Sequence, residues 1–251
     1  MPPIDQTNTT IYNGGGLCNH LFRNLICSEI SRKYNLKFSY ICYGEMIDLG
    51  VRTYIDGEIF HTMYIEFNEG LFEHFIQNND VELKFNIFVQ PYYFQTPFIA
   101  RYLRDYFLRE EVKKDILEAN QFRDRHGNNN DLVVHIRLGD AIENNPGLEY
   151  YENMMARVDP YDKAWLATDE VNHPICQSLI EKYGFIPLDY NAVDTLKFGS
   201  TCRQIILSGG TFSWIMAVMG YQTQKVFYPD YNKRRIWHGD IFVFDDWIKE
   251  I

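Results

Sequence analysis

An α/β protein built on parallel sheets is the architecture that the sequence predicts. Short β-type runs alternate with short helical runs from residue 132 to residue 228, the pattern of repeated βα units. The chain also opens on a strand, a glycine turn, a helix and a strand. Its 251 residues, 46% apolar and 23% charged, suffice for one large domain or two smaller ones with real cores.

In chain order, Thr9 to Tyr12 is β-like, Asn13-Gly14-Gly15-Gly16 is a glycine loop, and Asn19 to Tyr34 sets Leu21, Phe22, Leu25, Ile26 and Ile30 at helical spacing. Lys37 to Tyr43 is predicted as a second strand. The alternation in Tyr64-Ile65-Glu66-Phe67 makes residues 51–67 a β excursion. A strand follows at Phe85 to Val89, then helices at Pro97 to Phe107 and Glu110 to Phe122, with Pro97 suited to a first helical turn. The polar, unpatterned segment Arg125-His126-Gly127-Asn128-Asn129-Asn130-Asp131 marks the domain boundary, giving domains 1–127 and 128–251. Beyond it the spacing predicts strands at 132–136, 164–167, 185–187, 204–207 and 225–228. Helices at 150–157, 174–183 and 211–219 lie between them.

Twenty-four basic against 34 acidic residues give a net charge of -10, which argues against a nucleic-acid or anionic-membrane surface and requires any phosphate to be held locally. Five scattered cysteines without C-x-x-C spacing suggest neither a disulfide framework nor zinc, and fit a reducing, cytoplasmic setting. No leader-like run and no apolar run of membrane-spanning length is present, so a soluble protein is expected. The aromatic surplus, 18 Tyr and 18 Phe, is read mainly as core filling.

Four turns carry chemistry. Leu132-Val133-Val134-His135-Ile136-Arg137-Leu138-Gly139-Asp140 is an apolar strand ending in a cation, a glycine and a carboxylate. It sets a guanidinium able to grip two phosphate oxygens at a strand's carboxyl edge, although strand-end arginines also serve in ion pairs. Gly14-Gly15-Gly16-Leu17-Cys18-Asn19-His20 brings backbone N–H groups to a helix start, with Asn19 as a plain N-cap the competing reading and His20 placed at the lip. Trp165-Leu166-Ala167 runs into Thr168-Asp169-Glu170, where a carboxylate suits ribose or base donors, or simply caps the helix ahead of Pro174. Gln204-Ile205-Ile206-Leu207 leads into Ser208-Gly209-Gly210-Thr211-Phe212-Ser213-Trp214, a flexible, hydroxyl-rich helix start suited to an anion. Arg234-Arg235 beside Trp237-His238 forms a lower-ranked cationic lip. Asp189 and Asp245-Asp246 lack histidines at ligand spacing, so no metal site is expected.

Together these turns resemble the superfamily of GDP-fucose-dependent fucosyltransferases, above all the α-1,2-fucosyltransferases, with protein O-fucosyltransferases as remoter kin. Its pattern is G-G-R-L-G-N-Q, then H-x-R-x-G-D, a T-D segment after the next strand, and S-x-S/T-F-S-W near the end. The chain follows that order with Gly14 to His20, His135 to Asp140, Thr168-Asp169 and Ser208 to Trp214. It departs from the pattern at Gly16, Cys18 and His20, and at Leu138, where the H-x-R-R-x-D form of the second motif has an arginine.

The resemblance implies a GT-B fold, two Rossmann-like domains facing a cleft, with domain 1–127 on the acceptor side and domain 128–251 holding a nucleotide sugar. It implies that Arg137 neutralises the leaving diphosphate, that His135 lines the same pocket, and that Asp169 contacts the guanosine. Ser208, Thr211, Phe212 and Ser213 would hold phosphate and sugar, while Gly15, Gly16 and Asn19 approach the donor from the other domain. Asp140, His20 or Glu143 would take the acceptor's proton. The implied activity is metal-independent, inverting transfer of L-fucose from GDP-fucose to a glycan hydroxyl, with no cofactor beyond the donor. UDP-xylose or GDP-mannose as donor, or a non-catalytic glycan-binding role, are the alternatives.

Overall fold

The computed structural model describes residue 8 and residues 15–60, 64–89, 93–231 and 241–251. The expected strand at Thr9 to Tyr12, the start of the glycine loop at Asn13-Gly14 and the Arg234-Arg235 lip lie outside the described residues. Two compact units divide the chain, Met1–Val112 and Lys113–Ile251.

In the first unit, α1 (Leu17–Tyr34) is buried almost all round from Cys18 to Ser31, its polar residues Arg23, Asn24, Ser28 and Glu29 included. It stops at Asn35, which adopts the left-handed conformation that asparagine tolerates (φ 55°) and returns its N–H to Ser31 O. After α2 (Tyr43–Asp48), strand β1 (Tyr64–Phe67), helix α3 (Glu69–Gln77) and strand β2 (Asn86–Val89) form a parallel βαβ unit, with Asn68 capping α3 through the Leu71 N–H. Helix α4 (Pro97–Leu108) starts on the Thr96 cap with Pro97 in its first turn.

Two expectations are corrected here. Lys37 to Tyr43 is not a strand: Leu36 bridges Glu58, the Ser39 N–H donates to Asn8 O at 2.8 Å, and left-handed Cys42 (φ 56°) ends the extended run where α2 begins. Asn19 is not a helix cap either. Helix α1 starts two residues earlier, at Leu17 with Gly16 as its N-cap, and Asn19 lies inside its first turn.

Helix α5 (Glu110–Ala119) ends three residues before the expected Phe122, because Asn120 Oδ1 takes the Phe122 N–H at 2.8 Å and competes with the helical pattern. The division at Val112 precedes the expected boundary at residue 127. Residues after it pack into the second unit: Asn120 Nδ2 donates to Lys197 O at 3.0 Å, and Phe122 meets Tyr190 and Phe198.

The rest of the second unit runs β3 (Leu132–Ile136), α6 (Leu148–Met155), β4 (Ala164–Thr168), α7 (Pro174–Tyr183), β5 (Ile186–Pro187), α8 (Ala192–Gly199), β6 (Gln204–Ile206), α9 (Gly210–Val218), β7 (Lys225–Tyr228) and β8 (Ile248–Lys249). Its six strands form one parallel sheet in the order β5-β4-β3-β6-β7-β8. Counted from β3 this is 3-2-1-4-5-6, the order of doubly wound Rossmann-like sheets, whose direction of winding reverses between the first and fourth strands.

The register explains why β3 reads as a continuous apolar run. All five residues are buried: Leu132, Val134 and Ile136 belong to a core with Tyr150, Tyr151, Met154 and Leu179, while His135 meets α9 on the opposite face. Helix α7 is bracketed by Pro174 in its first turn and left-handed Gly184 (φ 69°) at its end. No described helix is long and apolar enough to cross a membrane.

Candidate functional site

Strand β3 ends where the winding reverses, and the chain beyond it is held by side chains rather than by sheet pairing. The Arg137 N–H donates to Ser208 Oγ at 2.9 Å, tying the end of β3 to the turn after β6. The next amide, Leu138 N–H, donates to Asp169 Oδ1 at 2.9 Å, tying it to the end of β4. Two groups unremarked in the sequence complete the frame. Asn145 Nδ2 donates to Arg137 O at 2.8 Å, and Tyr150 Oη donates to Leu207 O at 2.7 Å. Asn145 had a local signal, since Asn-Pro-Gly is a turn sequence; Tyr150 had none beyond its place on an apolar helix face.

The Arg137 guanidinium lies between two carboxylates, one nitrogen on Asp169 and another on Asp140. Its side chain is 40% exposed, against 28% for Asp169 and 79% for Asp140, so Asp140 is the partner most open to exchange. Asp140 and Glu143 sit on an exposed 3₁₀ turn at Gly139–Asn144. That turn requires its glycine: Gly139 has φ 39°, and a Cβ there would stand 2.7 Å from Asp169 Oδ2.

His135 is buried, with its ring stacked on Phe212 (centroids 4.9 Å apart, planes at 29°) and Nδ1 2.6 Å from Ser213 Oγ. Burial lowers its pKa from 6.5 to about 4, against the opposing pull of Asp169, so the ring is neutral at neutral pH. The Gly209 N–H also donates to Ser213 Oγ, at 3.3 Å.

Gly209 (φ 115°) and Gly210 (φ 74°) make the turn into α9, and no side chain caps that helix. Thr211 is buried in its first turn. A Cβ on Gly209 would stand 2.7 Å from Tyr231 Oη, a buried hydroxyl with no hydrogen-bond partner among the described residues. Burial holds the Tyr231 phenol protonated.

No family model matches this chain, and no curated protein matches it.

The expected site residues of the second unit, catalytic Arg137 and Asp140 and donor-binding His135, Asp169, Ser208, Phe212 and Ser213, lie together at the carboxyl edges of β3, β4 and β6, with Thr211 on the same turn. Asp169 does not cap α7, since His173 Nδ1 accepts the Ile175 N–H instead. The other expected residues belong to the first unit. Gly15 and Gly16 are exposed at the start of α1, and Asn19 Oδ1 accepts from Gln95 Nε2 at 3.0 Å. His20 is buried, and its pKa is lowered by that burial and then by the Arg23 cation. Among the described residues no group of three or more His, Cys, Asp or Glu is placed to hold a metal.

Chemically, the edge brings together a guanidinium, a helix start without a side-chain cap, a neutral imidazole and the two buried serine hydroxyls that hold them in place. That set suits a ligand carrying phosphate oxygens.

Proposed function

We propose that the chain is an inverting glycosyltransferase that moves L-fucose from GDP-fucose to a glycan hydroxyl. The observation that carries this reading is the convergence of Arg137, Asp169 and the Ser208–Ser213 turn on the switch point of a 3-2-1-4-5-6 sheet, where such sheets take nucleotides. With the reading goes a GT-B arrangement of two Rossmann-like domains, the C-terminal one holding the donor. The cysteines described are all free thiols, in keeping with a reducing, cytoplasmic setting.

In this reading the acceptor oxygen attacks the anomeric carbon as the bond from that carbon to the β-phosphate oxygen breaks, and the electron pair leaves with the diphosphate. Arg137 and the N-terminus of α9 stabilise the charge that develops. The phosphate reaches Arg137 by taking the place of the exposed Asp140, and the carboxylate so released accepts the acceptor's proton. Buried His20 is less well placed for that task.

Calorimetry with GDP tests the nucleotide site directly. Wild-type protein binds GDP, and Arg137→Ala weakens binding ~10- to 100-fold, the worth of a charge-assisted hydrogen bond. Nucleotide release from GDP-fucose, GDP-mannose and UDP-xylose then identifies the donor. No GDP binding by the wild type overturns the proposal, and glycan binding without GDP binding favours a non-catalytic glycan-binding protein.

A further inference from the structure

The protons of the Ser213–His135 pair can be counted. Ser213 is fully buried, and its Oγ has two described partners: the Gly209 N–H at 3.3 Å and His135 Nδ1 at 2.6 Å. A hydroxyl accepts freely but has one proton to give. The Gly209 amide can do nothing but donate. Were His135 Nδ1 to donate as well, Oγ would receive two N–H groups, and its own proton would be left in a dry site with no described acceptor.

We propose that Ser213 donates its proton to His135 Nδ1 and thereby fixes the imidazole as the neutral Nε2–H tautomer, a hydrogen-bond donor to a phosphate oxygen of the ligand. The ligand half rests on the function proposed above; the tautomer half does not. Stacking on Phe212 sets the plane of the ring, so the pair controls both the orientation of the imidazole and the atom that carries its proton. Two features keep the ring from becoming a cation. Burial opposes charging, and the nearby Arg137 guanidinium outside the ring's own hydrogen bond opposes it too, while Asp169 favours it. Among the described residues, Arg137, Asp140, Glu143, Asp169 and Glu170 are the charged groups on the turns at this edge. His135 is consequently a donor and not the general base, and Ser213 is a positioning residue that acts through it.

The deciding experiment is long-range ¹H–¹⁵N correlation on protein labelled at its 7 histidines, with His135 assigned by difference against His135→Gln. At neutral pH the wild type shows the Nε2–H pattern for His135. Ser213→Ala, where it keeps the wild-type circular dichroism, moves that signal toward a tautomeric mixture, and Ser213→Thr, which retains the hydroxyl, restores it. Titration with GDP, and separately with inorganic diphosphate, shifts the Nε2 resonance. An Nδ1–H pattern or an imidazolium in the wild type at neutral pH overturns the assignment whether or not any variant folds. An Nε2 resonance unmoved at saturating GDP and at saturating diphosphate overturns the ligand half. Failure of the wild type to bind GDP in calorimetry falls on the proposed function instead, and the tautomer measured without ligand still decides the Ser213–His135 assignment.

Discussion

Asp169 supports the backbone of Leu138 and the side chain of Arg137 at once: Oδ1 takes the Leu138 N–H at 2.9 Å while Oδ2 faces the guanidinium. One carboxylate thus sets both where the chain leaves β3 and where its cation points. The two duties separate by substitution. Asp169→Asn retains an oxygen for Leu138 and gives up the half-exposed ion pair, at a cost of about 0.5 kcal/mol. Asp169→Ala leaves the Leu138 amide without its acceptor and costs about 2 kcal/mol. Urea denaturation of the two variants measures the gap, and equal losses would contradict the backbone role.

Gly139→Ala is expected to destabilise the protein by about 2 kcal/mol, because the residue occupies a positive φ and the added methyl group is driven toward Asp169. The same collision displaces Asp169 from Arg137, so the proposed GDP binding weakens alongside the melting temperature. A variant as stable as wild type would show that the turn relaxes without strain.

Acid sensitivity follows from His135. Its folded-state pKa, about 4, is below the ordinary 6.5, so the unfolded chain takes up a proton that the folded protein refuses. The stabilisation is complete above about pH 6.5, declines as the pH falls through the window from about 6.5 to about 4, and has then lost about 3 kcal/mol. His20 and His126, both lowered mainly by burial, add in the same direction. Denaturation measured at several pH values tests the sign. His135→Gln flattens the slope in that window, and an unchanged slope would place the titration elsewhere.

At the other end of β3, buried Asp131 accepts from Arg125 Nη2 at 2.7 Å and from Trp165 Nε1 at 2.9 Å, and its carbonyl takes the Arg203 and Gln204 amides. The Arg125 guanidinium also covers the Phe198 ring, 4.2 Å from its centroid. Arg125→Met strands the carboxylate in an apolar setting and is expected to cost about 3 kcal/mol in chemical denaturation, well above any surface pair. A loss below about 1 kcal/mol would mean that Trp165 alone satisfies Asp131.

The second unit was largely legible in the sequence because local and tertiary signals agree there. Strand β3 is five buried residues closed by Arg137, α7 has Pro174 and Gly184 at its ends, and β7 is a short β-rich run; the expected ranges match the observed ones. Helix α8 escaped notice although Asn191 caps it through the Asp194 N–H, an Asn-x-x-Asp start that could have been read. Strand β8, two residues long, has no period to detect. In the first unit, Lys37 to Tyr43 has strand-like composition, but left-handed Asn35 and Cys42 bracket it, and no residue type announces a positive φ at a cysteine. The site was legible as residue types at strand ends. The pairing of Arg137 with two carboxylates and the support from Tyr150 were not, because they depend on which turns the strand order makes neighbours.

The seam between β3 and β6 is short. Five residue pairs join β3 to β4, but three join β3 to β6, ending at Val134 and Ile206. Past that point the two halves of the sheet are fastened by Arg137 to Ser208 and by His135 to Ser213. The edge proposed to take a ligand therefore coincides with the seam between the two halves of the sheet, and Ser208 and Ser213 act as its stitches. A ligand lodged there clasps the halves together, so occupancy should register as slower proteolysis and slower amide exchange along β6 and on into β7, beyond the turn that meets the ligand.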